Sequence, residues 1–174
     1  MEIVHARREH HGAFHALYRR VAAVPDLLVR RPAEITDAYT RRLLAAATDA
    51  GAGLLALDGR RAAGAIVAVR PVELAFRHTL TDLTIFVDPA DRGRGLGRRL
   101  FETFLDGVRA DLPGVERVEL YVREGNARAV ALYESLGFVR EGRHPGKIAT
   151  ASGGRDTPLS MAWSRGGRGV TPLP

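Results

Sequence analysis

Residues Leu83–Arg99 read LTIFVDPADRGRGLGRR, and the order of residue types in this stretch decides the fold. A β-branched apolar run ends at Asp88-Pro89, a turn signal. Glycines then occupy 93, 95 and 97, and the apolar positions Leu96, Leu100, Phe104 and Val108 continue at helical spacing. The segment therefore reads as strand, turn, glycine loop, helix. Glycines remove the Cβ atoms where the chain enters the helix, so backbone N–H groups can approach an anion closely. The first turn of a helix leaves N–H donors without intrahelical partners and carries partial positive charge. Together these make a cradle for phosphate or pyrophosphate, and Arg92, Arg94, Arg98 and Arg99 surround it with positive charge. A dinucleotide G-x-G-x-x-G fingerprint fails because Arg98 stands where the third glycine belongs. A P-loop fails at the same residue and lacks its lysine.

Working outward, Leu54–Leu57 and Ala62–Val69 flank the hairpin signal Asp58-Gly59, and Leu80–Val87 is a third strand of this set. On the far side of the helix, Val118, Leu120 and Val122 alternate with polar residues. Ala129, Leu132, Tyr133 and Leu136 follow as a short helix closed by Gly137, and Phe138-Val139 opens another strand. A long loop, Gly142–Asp156, precedes a last strand, Leu159–Trp163. At the start, Glu2–Ala6 reads as a strand and Arg8–Val24 as an amphipathic helix ended by Pro25. A second helix is expected from Pro32 to Asp49. The predicted fold class is α/β (α+β): one domain over residues 1–163, a central mixed sheet with helices around it, and a disordered tail at 164–174.

Composition narrows the chemistry. With 174 residues and 45% hydrophobic content, the chain suits one ordinary globular domain. It has no cysteine, which excludes disulfides, thiolate metal sites and a cysteine nucleophile. The formal net charge is +6, and Lys147 is the single lysine beside arginines spread along the whole chain. That spread reads as solvated surface rather than a nucleic-acid stripe, and the 6% aromatic content supplies no stacking platform. No metal is expected: His11 and His15 are spaced i, i+4, but Gly12 stands where a metalloprotease glutamate would be. No apolar run is long enough to span a membrane, and the N-terminus lacks a signal-peptide core, so a cytoplasmic protein is expected.

Two motifs together resemble a known family. Arg92, Gly95 and Gly97 match the pattern [Q/R]-x-x-G-x-[G/A]. Downstream, Leu120–Phe138 (LYVREGNARAVALYESLGF) is similar to N-x-x-A-x-x-[LF]-Y-x-x-x-G-F, matched by Asn126, Ala129, Leu132, Tyr133, Gly137 and Phe138. In this order and spacing they resemble the GNAT superfamily of N-acetyltransferases, over roughly residues 54–163.

The resemblance implies a mostly antiparallel sheet splayed between its middle strands and flanked by about four helices. It implies acetyl-CoA as co-substrate, with pantetheine inserted beside Leu80–Val87 and held by backbone groups near Phe86 and Val87. The pyrophosphate would then lie on Gly93, Arg94, Gly95, Leu96, Gly97 and Arg98, with Arg92 as a further charge partner. Tyr133 would protonate the departing thiolate, although its helical face also suits a core residue. Asn126 would touch the coenzyme arm, cap the helix at Ala127, or both. The general base would be Asp82, with Glu119, His78 or a held water as alternatives. The acceptor would be a small-molecule amine or a protein N-terminus, and a homodimer would be in keeping with the family. A CoA-binding regulatory domain without turnover and an arginine-rich nucleic-acid module are the competing readings.

Overall fold

A computed structural model describes residues 1–167. Strand β1 (Glu2–His5) leads through a short 3-10 turn into helix α1 (His11–Ala22). Helix α2 (Asp37–Asp49) is followed by β2 (Ala52–Asp58), β3 (Arg61–Val69) and β4 (Thr79–Val87). Then come α3 (Leu96–Asp111), β5 (Arg117–Arg123), α4 (Ala127–Ser135) and β6 (Val139–Arg143). A two-residue pair, β7 (Ile148–Ala149) and β8 (Arg155–Asp156), precedes β9 (Pro158–Ser164).

Seven strands form one sheet in the order β1-β2-β3-β4-β5-β9-β6. Every pairing in it is antiparallel except β4 with β5. This is the α+β sheet with four flanking helices that the sequence predicts.

Alternation along the strands divides the interior into two cores. Leu54, Ala56, Ile66 and Val118 face α3 and α4, where Leu100, Phe101, Phe104 and Tyr133 cover them. Leu55, Ala65, Val67 and Phe86 face α1 and α2, where Phe14, Leu17, Tyr18 and Leu44 pack.

Three local expectations are revised. The helix expected from Pro32 is interrupted: Pro32–Glu34 makes a 3-10 turn, Ile35 leaves helical geometry, and Thr36 caps α2 by accepting the Tyr39 N–H at 3.1 Å. A threonine at the N-cap position favours a fresh start over a continuous helix. The long loop before the last strand contains the β7-β8 pair. Ser164, expected to begin the tail, ends β9, and the Arg165 guanidinium donates to the Val108, Arg109, Leu112 and Val115 carbonyls at the end of α3. A cation there suits the negative end of the helix dipole. The remainder of the expected tail, residues 168–174, lies outside the described residues.

Candidate active site

The parallel ladder between β4 and β5 is short. Thr79 pairs with Arg117 and Leu80 with Val118, and there the pairing ends. A cleft of about 1530 Å³ opens beyond it, with Thr81–Ile85 of β4 on one side and Glu119–Arg123 of β5 on the other. The cause is visible in β4. Asp82 has φ +50°, and the register with β3 shifts between Val67 and Val69. An extra residue in one strand bends it and leaves backbone groups unpaired. The open edge of β4 thus offers peptide groups to an extended ligand.

At the end of β4, the loop before α3 adopts the geometry its glycines allow. Gly93 and Gly95 have φ of +79° and +73°, left-handed values that a side chain resists. Gly95 is the N-cap of α3. Among the described residues, none accepts a hydrogen bond from the N–H groups of Gly93 through Arg98. A Cβ built on Gly93 or Gly95 meets nothing within 4 Å, so the space above the loop is open. Unpaired donors, open space and a helix N-terminus fit a pyrophosphate.

The arginines of the loop are partly engaged. Arg92 turns back onto the Val87 carbonyl at 3.4 Å. Arg94 is exposed and 3.7 Å from Asp91. Arg98 bonds Ser135 Oγ at 2.9 Å and Glu102 at 3.3 Å, away from the loop. Leu96 is buried beneath the helix, and Gly97 opens it against Val87. The Phe86 side chain belongs to the opposite core, its ring centroid 4.5 Å from that of Tyr18. Phe86 and Val87, singled out in sequence, pair with Ala65 and Gly64 of β3 and are not among the residues lining the cleft.

Tyr133 lines the cleft from α4. It is only 8% exposed, and its ring packs at 5.3 Å from Phe101 and 6.0 Å from Phe138. Its hydroxyl bonds no described residue, and burial pushes the phenol up to about 12. The ring thus belongs to the core, and the same residue borders the cleft. Asn126 caps α4, its Oδ1 accepting the Ala129 N–H at 3.2 Å, and it also lines the cleft.

The three candidate bases separate. Asp82 is exposed, lines the cleft and has no ion-pair partner among the described residues. Glu119 also lines it, but Arg117 Nε donates to Glu119 at 2.5 Å while the rest of that guanidinium grips Glu141. His78 is exposed on the connection before β4 and is not among the cleft residues.

The far end of the cleft holds residues that the sequence reading did not single out. Arg123 lies between Asp26 of the α1–α2 connection at 3.6 Å and Asp156 of β8 at 3.3 Å, tying both to β5. The Lys147 ammonium sits 4.4 Å over the Tyr121 ring. Strand alternation alone could have found Tyr121 and Arg123, since they share the face opposite Leu120 and Val122. Nothing local in sequence joins them to Asp26 or Lys147. The His11/His15 pair has a structural use, both rings bonding Thr40 Oγ1 at 3.0 and 2.9 Å.

The model of the acetyltransferase (GNAT) family matches residues 13–138. A [ribosomal protein bS18]-alanine N-acetyltransferase of Salmonella typhimurium is 40% identical over 119 residues, which are 62% of this chain and 70% of that protein. A mycothiol acetyltransferase of Beutenbergia cavernae is 62% identical over 52 residues, 30% of this chain; the match spans only 17% of that longer protein. Among solved structures, a phosphinothricin acetyltransferase of Sinorhizobium meliloti in complex with AcCoA superposes with a TM-score of 0.82 at 19% identity. That superposition covers 99% of this chain and 92% of the other.

Proposed function

This chain belongs to the GNAT acetyltransferase family, and from that premise we propose that it transfers acetyl from acetyl-CoA to an amine by direct attack in a ternary complex. The observation that carries the reading is the open edge of β4 leading from the cleft to the unpaired N–H groups of Gly93–Arg98. Acetyl-CoA supplies the thioester. The loop binds its pyrophosphate, and the β4 backbone beyond Leu80 holds the pantetheine arm as an added strand would be held. Asp82, directly or through a water, takes the proton that the acceptor ammonium must lose. The Tyr133 hydroxyl, a phenol at neutral pH, donates a proton as the thiolate leaves. The α4 cap at Asn126 keeps that helix, and hence Tyr133, against the cleft.

For the acceptor, we favour a protein N-terminus over a small amine. The Salmonella relative supports this reading by the extent of its match. Charge suits it too: six carboxylates and five cations line the cleft, a slight excess of negative charge toward an ammonium.

The test is acetyl-CoA-dependent thiol release across a panel of peptides with free N-termini and of small amines. Turnover with peptides and not with small amines supports both parts of the proposal. Turnover confined to small amines removes the acceptor assignment. CoA binding without turnover on any amine favours a regulatory CoA-binding domain.

A further inference from the structure

The glycine loop begins on two buried carboxylates, a costly place for them beside an anion site. The Asp88 and Asp91 side chains are 8% and 6% exposed. Asp88 Oδ1 accepts the Ala90 N–H at 3.1 Å, and the Asp88 N–H donates to the Ala63 carbonyl at 2.8 Å. Asp91 sits immediately before the Arg92–Gly97 motif, and its other oxygen lies 3.7 Å from Arg94 of the loop. An unpaired carboxylate this close to a bound pyrophosphate would repel it, with little water between to screen the charge.

Two arginines from distant parts of the chain answer these charges. Arg20 of α1 donates from Nε to Asp88 Oδ2 at 2.8 Å and from Nη2 to the Ala62 carbonyl at 2.9 Å. Arg61 of β3 bridges both acids, Nη1 reaching Asp88 Oδ2 at 3.2 Å and Nη2 reaching Asp91 Oδ2 at 2.7 Å. Burial alone would push the Asp88 carboxyl up, but Arg20, the Ala90 N–H and Arg61 outweigh it and hold it below its ordinary value. Neither arginine lines the cleft.

We propose that Arg20 and Arg61 are positioning residues for the coenzyme's pyrophosphate: acting through Asp88 and Asp91, they pin the turn at the start of the glycine loop and cancel the two carboxylate charges beneath it. The proposal rests on the acetyl-CoA reading above. It goes beyond that reading by assigning part of coenzyme affinity to residues outside the cleft, which link α1 and β3 to the loop.

Calorimetric titration with CoA tests it without knowledge of the acceptor. Arg61→Met should weaken CoA binding at least tenfold, while Arg61→Lys, which keeps the charge, should stay within about threefold of the parent. Adding Asp91→Asn to Arg61→Met should recover at least threefold of the loss, because it removes the carboxylate charge that Arg61 answered. A purely structural role predicts the opposite, since deleting a second member of the network should add damage. Unchanged affinity in Arg61→Met, or a deeper loss in the double variant, overturns the proposal. If Arg61→Met does not fold, the double variant and Arg61→Lys decide: affinity in the double variant no better than tenfold below Arg61→Lys also overturns it. Wild-type protein that binds no CoA overturns this proposal and the acetyl-CoA reading together; wild-type binding with an unaffected Arg61→Met overturns this one alone.

Discussion

Leu80 and Leu83 enter the same core from β4 although they are three residues apart. In a regular strand, residues on one face are two or four apart, so the strand gains one residue between them. That residue is Asp82, at φ +50°, and its side chain is left exposed on the cleft side of the strand. The same shift sends Phe86 into the α1 core while Leu83 and Ile85 remain with α3. One bulge therefore presents a candidate base and marks where the parallel ladder ends.

Asp82→Asn should lower kcat by about 100-fold, the low end for loss of a general base. Asparagine tolerates left-handed φ as aspartate does, so the melting temperature should move little. Glu119→Gln should cost far less, because Arg117 already occupies that carboxylate. Steady-state kinetics beside thermal melts check both, and a larger loss in Glu119→Gln would transfer the role.

Tyr133→Phe should reduce kcat by about 100-fold and leave the affinity for CoA unchanged. The hydroxyl matters mainly as the C–S bond breaks. Because it bonds no described residue, its removal leaves no donor or acceptor stranded there, and the ring contacts with Phe101 and Phe138 persist. A kcat within twofold of the parent would make Tyr133 a packing residue alone.

Burial of Tyr133 also predicts an alkaline loss of stability. Its phenol titrates at about 12 in the folded chain, against about 10 when unfolded. Between those values the unfolded chain has released a proton that the folded chain still holds, so stability falls as pH rises from 10 to 12 and is untouched by this group below 10. At about 1.4 kcal/mol per unit, the change is roughly 2–3 kcal/mol. Chemical denaturation at pH 9 and at pH 11 should show about half of it, and Tyr133→Phe should flatten the slope only in part. Burial raises the Tyr18 phenol in the same direction.

Gly95→Ala should weaken CoA binding by straining a residue held at φ +73°, and Gly95→Glu should weaken it further, at least 100-fold. The added Cβ has no protein neighbour within 4 Å, so in the glutamate variant the extra loss beyond alanine comes from charge and bulk in the ligand's space. Calorimetry with CoA on both folded variants measures the difference. Equal affinities in the two would remove the pyrophosphate from this loop.

The sequence by itself determined the order of the main helices and strands, the central sheet and the glycine loop. Each of these is written in local terms: apolar periods of two and 3.6, turn residues, and glycines where φ turns positive. It also placed Asn126 and Tyr133 on the helix that borders the cleft, because both lie in one short motif. Only the tertiary structure decided what holds that cleft and loop in shape. The bulge at Asp82 has no distinctive local signature, since aspartate is unremarkable in a turn or an exposed strand position. Arg20 and Arg61 are two arginines among many until the fold brings α1 and β3 against Asp88 and Asp91. Arg123 is in the same position: 97 residues separate it from Asp26 and 33 from Asp156, and only the folded sheet brings the three together. Charge pairing acts through space, and sequence spacing carries no record of it.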